Sequence, residues 1–316
     1  MNDVVIALDT SNYTSSFAII SSKGELIANL KKPLSVAQGQ RGLRQSDAVF
    51  SHIKNIPLIM NEAKEYLSGK RIVAVGVSSR PRNVEGSYMP CFLAGVSSAE
   101  SISAALGVPI FRFSHQCGHI MAAVYSSGNL DLLKKGFAAF HISGGTTELL
   151  KINSYSESGF SAELVGGTKD LNAGQVIDRI GVYMGLDFPC GPKMEELALE
   201  NTEKIPNKKI SLAGLEINLS GAENIARKLF DDTQDKAFTS AFVFDYISNS
   251  IISLSRAYED IYGKTCFVYA GGVMSNSIIK SKLAENFNAY FAEPSMSSDN
   301  AVGIAYLTLQ ASKSSL

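Results

Sequence analysis

Short apolar runs alternate with small, polar breaks along the first eighty residues, at the spacing of strands and turns. VVIALDT, SSFAIIS and ELIANLKK, residues 4–10, 15–21 and 25–32, predict three strands. A helical period then runs from about Ser46 to Leu67, and RIVAVGVSS, residues 71–79, is apolar enough for a buried parallel strand. A second helix is expected around residues 94–107, and PIFRFSH, residues 109–115, is a short strand that delivers the chain to His115. From Phe137 the same order begins again: FAAFHIS, TTELLKI and FSAELVG as strands, a helix from about Asn172 to Met184, and CFVYAGG, residues 266–272, as a later buried strand.

Each round opens with an apolar strand that breaks at a small, polar turn and returns as another strand. IALDTSNYTSSFAII does so first and AAFHISGGTTELLKI second. Two similar lobes with a cleft between them follow, and clefts of that kind commonly hold sites. Residues 203–223, EKIPNKKISLAGLEINLSGAE, are the least regular stretch and read as a surface excursion.

Composition narrows the picture. A chain of 316 residues with 45% hydrophobic content can bury a substantial core. Its formal net charge of -1, from 29 basic and 30 acidic residues, offers no general attraction to nucleic acid or to an anionic membrane. Asp3 stands where a leader would be basic, and the apolar run behind it is too short for a signal segment or a membrane span, so the expectation is a cytoplasmic protein. Cys91, Cys117, Cys190 and Cys266 form no CxxC pair, which fits reduced thiols and neither a zinc ribbon nor a disulfide framework.

Three stretches carry candidate nucleotide chemistry. Ser143, Gly144 and Gly145 lie between two strands, where glycines expose backbone N–H groups to an anion, although a plain tight hairpin has the same signature. Gly271-Gly272 follows a buried strand and precedes a helix with Ser275 or Asn276 near its cap, a place where N–H donors and the helix dipole favour an anion. Neither turn is a Walker loop or a dinucleotide fingerprint. Between them, Asp178 on a helix is suited to ribose hydroxyls, and Gly191 admits a flat base. Glu195 is expected in the first turn of a helix that starts near Lys193. A plainer reading makes Asp178 part of a surface charge cluster with Arg179 and makes Glu195 a helix-dipole acid.

FRFSHQCGHIMAAVY, residues 111–125, holds His115 and His119 four residues apart, on one face of a helix and within reach of one metal ion. A zincin protease needs glutamate after the first histidine, where this chain has Gln116. Two ligands are too few, and Asp299, in SMSSDNAVGIAYL, is a candidate third. Packing of two histidines in a core is the alternative that spacing leaves open.

Taken together these pieces resemble the TsaD family, also called Gcp or YgjD, with its Kae-type counterparts. The motifs that carry the resemblance keep the family order. They are the DTS turn, the HxxxH, HISGG at 141–145, the block from Asp178 through PCGP to Glu195, LSGAE at 219–223, AGGVMSN at 270–276 and SDNAVGIAY at 298–306. The resemblance implies the actin-like ATPase fold, an α/β architecture of two ribonuclease-H-like lobes with a nucleotide cleft between them. On that basis the first lobe is expected over residues 1–114 with 300–316, and the second over 115–299.

It further implies metal-assisted transfer of threonylcarbamoyl from threonylcarbamoyl-AMP to N6 of adenosine 37 in tRNAs reading codons that begin with A. The implied metal is one iron or zinc ion on His115, His119 and Asp299. The implied contacts to ATP or the adenylate are Ser143, Gly144, Gly145, Asp178, Gly191, Glu195, Gly272 and Asn276. TsaB-like and TsaE-like proteins are the implied partners, tRNA is met through that complex, no membrane is involved, and a dimer is compatible with the pattern.

The chain departs from the family at three places. The usual ETSCDET reads DTSNYTS, which keeps Asp9 as the remaining catalytic acid and puts Tyr13 and Thr14 at the other two acid positions. SGGHT is SGGTT, with Thr146 replacing a histidine. A glycine-proline-glycine turn is replaced by SSRPRNVEGSYMP, which adds Arg80 and Arg82. These departures also fit a paralogue that binds nucleotide and metal as a regulatory or scaffold protein without transfer. A sugar or small-acid kinase on the same fold would use Asp9 and leave the HxxxH without a role.

Overall fold

The computed structural model describes the chain except for residues 1, 12, 36–42, 154–159, 294–295, 297–300 and 315–316. The chain divides into two compact units, Met1–Lys134 with Ser154–Ala162 and Ser295–Leu316, and Lys135–Asn153 with Glu163–Pro294.

The first unit is built on β1 (Asp3–Asp9), β2 (Thr14–Ser21), β3 (Leu26–Pro33), β4 (Arg71–Arg80) and β5 (Ile110–Ser114), in the order β3-β2-β1-β4-β5. The first three strands are antiparallel, and β4 and β5 run parallel to β1. On one face Val4, Ile6, Leu8, Phe17, Ile19, Val75 and Val77 meet Ile56, Ile59 and Ala63 of α1 (Gln45–Leu67) and Ala94 and Ala99 of α2 (Phe92–Leu106). The other face receives α10 (Val302–Ser314). Gly76 of β4 permits this, because a Cβ there would lie 1.9 Å from Thr308 Oγ1. Helix α3 (His115–Ser126) starts where β5 ends, with the Ser114 hydroxyl accepting from Cys117 N–H at 3.2 Å as its cap.

The division expected between Ser114 and His115 therefore differs from the contact pattern, which keeps α3 in the first unit and places the change after Lys134. The reason is a backbone-close crossing of α3 and α10. A Cβ on Gly303 would lie 1.8 Å from Gly118 O, so the two helices touch through glycine. A short helix, α4 (Leu132–Lys135), ends this part of the chain.

The second unit carries a seven-stranded sheet in the order β12-β11-β6-β7-β8-β10-β9. Its centre is β6 (Phe137–Ile142), antiparallel to β7 (Thr147–Ile152) and parallel to β11 (Phe267–Ala270), with β12 (Ala289–Phe291) beyond β11. β8 (Ala162–Thr168) pairs in parallel with β10 (Glu216–Ile217), which forms a small hairpin with β9 (Leu212–Ala213). Five helices build the core: α5 (Ala173–Tyr183), α6 (Gly191–Glu200), α7 (Ser220–Thr233), α8 (Lys236–Tyr262) and α9 (Ser277–Asn286). The excursion expected over residues 203–223 is irregular only in its first half. The second half supplies the β9-β10 hairpin and the start of α7, because Asp170 holds the Leu219 and Ser220 N–H groups at 2.8 and 3.1 Å. Among the described residues, no helix is long and apolar enough to cross a membrane.

Candidate functional site

In the second unit the loop after β6 folds on itself. Ser143 N–H donates to Thr146 O at 2.9 Å, the Ser143 and Thr146 hydroxyls are 2.7 Å apart, and Gly145 N–H donates to Ser143 Oγ at 3.2 Å. Gly144 and Gly145 are exposed, with open space where side chains would stand. The N-terminus of α5 lies against this turn. Gly174 N–H donates to Ser143 O at 3.2 Å, and a Cβ on Gly174 would lie 2.7 Å from Gly144 Cα. An Asn172–Gln175 capping box starts that helix.

The second glycine turn meets the same strand end. Gly271 has φ +98°, and a Cβ there would lie 2.3 Å from Ile142 O, so only glycine brings β11 out of the sheet at this point. Gly272 is exposed, and Asn276 caps α9 by accepting from Ile279 N–H at 3.0 Å.

Asp178 and Glu195 tie the remaining pieces together. Asp178 Oδ1 accepts from Cys190 N–H at 2.9 Å and so sets the turn that leads into Gly191. Burial raises the Asp178 carboxyl above the usual range, against the Cys190 N–H bond that lowers it. Arg179 turns away from Asp178 and pairs with Glu223 at 3.2 Å, so the plain i,i+1 charge cluster is not formed. The helix expected to start near Lys193 starts at Gly191, with Pro192 accommodated in its first turn. Glu195 therefore sits in the second turn, and its Oε1 accepts from Ser277 N–H at 2.7 Å and from the Ser277 hydroxyl at 2.5 Å. The eight nucleotide positions expected from sequence all fall in this unit, on segments linked by direct contacts. Ser277, which fixes Glu195, was not singled out in the sequence. Only its place beside the cap residue Asn276 hinted at it.

In the first unit His115 opens α3 and His119 follows one turn later, half-buried and buried respectively. Their Nε2 atoms are 2.9 Å apart, and the rings are edge-on with centroids at 4.3 Å. His115 Nδ1 lies 2.7 Å from Asp9 Oδ2 at the end of β1. Asp9 is fully buried, and its other oxygen accepts from Ser11 N–H at 2.8 Å. An ionised Asp9 accepts the Nδ1 proton and leaves the His115 Nε2 lone pair directed at His119.

Two nitrogens 2.9 Å apart are both within reach of one ion, since zinc–nitrogen bonds run about 2.0–2.1 Å. The pair thus offers two nitrogen donors to a divalent metal, fewer than a stable site needs. Asp299, the expected third ligand, lies outside the described residues, and among the described residues no group of three His, Cys, Asp or Glu side chains stands ready for a metal.

Comparison with known proteins gives a family and a fold. The chain matches the TsaD family, described as tRNA N6-adenosine threonylcarbamoyltransferase, over residues 27–306. Among solved structures it is similar to component A of the (R)-2-hydroxyglutaryl-CoA dehydratase of Acidaminococcus fermentans, with TM-score 0.57 and 14% identity over 98% of this chain and 99% of that one. HypF of T. kodakarensis gives TM-score 0.62 and 11% identity over 98% of this chain and 47% of that one. A ROK family glucokinase from Streptomyces griseus, in complex with glucose and AMPPNP, gives TM-score 0.53 and 10% identity over 96% and 98%. At such identities the likeness concerns the fold, which is the α/β actin-like ATPase fold with two lobes.

Proposed function

The chain belongs to the TsaD family, and on that premise we propose that it transfers a threonylcarbamoyl group from threonylcarbamoyl-AMP to N6 of adenosine 37 in tRNAs that read codons beginning with A. The observation that carries this reading is the family match over residues 27–306, within which the histidine pair and both glycine turns fall. The N6 amine attacks the carbamoyl carbon, the bond to the AMP phosphate breaks, and no covalent enzyme intermediate is needed.

The chain's own residues bind and orient. The exposed Gly144 and Gly145 turn and the N-terminus of α5 are suited to the adenylate phosphate, through N–H groups and the helix dipole. Asp178 keeps one carboxylate oxygen beyond its bond to Cys190 for a ribose hydroxyl. Gly191, Glu195, Gly272 and Asn276 complete the adenosine side. Held this way, the donor loses little further entropy on reaching its transition state.

His115 and His119, with Asp299, are the residues that would hold iron or zinc. Such an ion supplies Lewis-acid polarisation of a carbonyl or phosphoryl oxygen. Asp9 is assigned a positioning role, since both of its oxygens are engaged, one by His115 and one by Ser11.

TsaB-like and TsaE-like partners belong to the same reading. α1 leaves Phe50, Ile53 and Leu58 59%, 55% and 54% exposed, apolar surface of the kind that partners cover. A chain of net charge -1 needs such help to hold tRNA against salt.

One observation favours a second reading. Tyr13, 37% exposed, and Thr14 occupy the family's acid positions, as in a paralogue that binds nucleotide and metal without transfer. The two separate in cells depleted of their own transferase. Expression of this chain restores threonylcarbamoyladenosine in digested tRNA on the first reading, and leaves the nucleoside absent on the second.

A further inference from the structure

We propose that the first unit holds a small oxyanion, of carboxylate or phosphate type, in a cavity at the joint between β4, β5 and α3. The cavity measures about 60 Å³. On this measure one water needs roughly 10–15 Å³, so the space admits a small polyatomic anion. Its polar lining comes from Arg80, Asn83, Arg112, Ser114 and Cys117, and none of the described lining residues is acidic.

The sequence builds this place through an irregularity. The β4-β5 register shifts between Ser78 and Arg80, so that Arg80 comes opposite Ser114, the residue that caps α3. Bulges re-aim side chains in this way. Arg80 Nη2 donates to Asn83 Oδ1 at 2.7 Å and Nη1 to Ser79 Oγ at 3.3 Å. Both partners are neutral, and the half-buried guanidinium has no carboxylate partner among the described residues. Arg112 shares its charge with Glu100 on α2. Among the described residues, the balance of Arg80, Arg112 and Glu100 leaves one positive charge beside the cavity.

The walls strengthen that charge. Phe160 and Leu307 are 6% and 1% exposed and close the apolar side, and attraction to an anion grows as water is excluded. Guanidinium groups suit either a planar carboxylate or a tetrahedral phosphate, because their forked N–H donors match both. Arg80 lies in SSRPRN, where the chain departs from the family's glycine-proline-glycine turn, so the site belongs to this chain's own sequence.

Isothermal titration of the full chain at fixed ionic strength, with inorganic phosphate in one arm and acetate in the other, tests the proposal. At least one anion is expected to bind saturably, and the arm that responds identifies the group. Arg80→Gln should weaken that binding at least tenfold. Asn83→Asp, an isosteric change on an exposed loop, should do the same by placing a carboxylate against Arg80. Arg71→Gln removes a surface charge paired with Asp3 at 2.6 Å and should leave binding unchanged. Circular dichroism checks that each variant folds. No saturable binding in either arm overturns the proposal. So does binding indifferent to Arg80→Gln and Asn83→Asp, as expected of phosphate seated on the glycine turns of the second unit.

Discussion

At the scale of residues, the contact between Asp9 and His115 decides what the histidine pair can do. A carboxylate on Nδ1 fixes the tautomer that offers Nε2 as a lone pair. Asp9→Asn keeps an acceptor for Ser11 N–H but offers an amide N–H to Nδ1, which drives the ring proton to Nε2. The expected result is a loss of zinc or iron affinity of about 10–100-fold with the fold retained, the range found when such supporting partners are removed. Competition with a chromophoric chelator measures it, and unchanged affinity would remove Asp9 from the account. The histidine spacing was legible because a helix repeats every turn. The Asp9 contact was not, since it joins residues 106 positions apart and depends on how β1 and α3 are packed. The link between Glu195 and Ser277 was hidden for the same reason, at a separation of 82.

At the scale of elements, two joints hold the candidate sites in place. The first is the glycine crossing of α3 and α10. Gly303→Ala would drive a Cβ to 1.8 Å from Gly118 O, and a shift of packed backbone of that kind costs about 1–3 kcal/mol or more. Thermal unfolding should show a lower midpoint, and an unchanged midpoint would mean that the crossing is loose. The second is Asp170 at the start of α7. Partial burial pushes its carboxyl up, but the Ser220 hydroxyl and the N–H groups of Leu219, Leu171 and Ser220 outweigh that and bring it to about 2, from 3.8. A group lowered on folding stabilises the protein above its unfolded pKa and loses that contribution as pH falls through the folded value. The Asp170 contribution is therefore intact above about pH 4 and lost between pH 3.8 and about 2. Asp170→Asn should lower the thermal midpoint at neutral pH and narrow its gap to the parent as pH drops through that window. A gap independent of pH would assign the effect to packing instead.

Sequence periodicity served these elements unevenly. The strands VVIALDT and FAAFHIS were legible because each is a continuous apolar run bounded by turn residues. α8 was not assigned, although it spans 27 residues. Its buried side chains, among them Phe242, Val243, Phe244, Tyr246 and Ser248, lie around most of its circumference, so no single apolar stripe marks it as a helix. The α6 start was misplaced by two residues because Pro192 reads as a breaker in sequence yet is tolerated in a first helical turn.

At the scale of the whole molecule, the fold and the family are settled by different observations. The two α/β units and their likeness to actin-like ATPases give the architecture, and that architecture is also found in a dehydratase component and a glucokinase, so it does not fix the activity. The match over residues 27–306 narrows it to one family, and the residues within that match carry the proposed chemistry. The most direct measurement is transfer of labelled threonine from threonylcarbamoyl-AMP to a tRNA reading a codon that begins with A. It uses the purified full chain with TsaB-like and TsaE-like partners, beside a His119→Ala variant and an active homologue run in parallel. The account predicts label in tRNA with the parent chain and a fall to background with His119→Ala. No label from the parent while the homologue labels the same tRNA, or equal label from parent and variant, would contradict it.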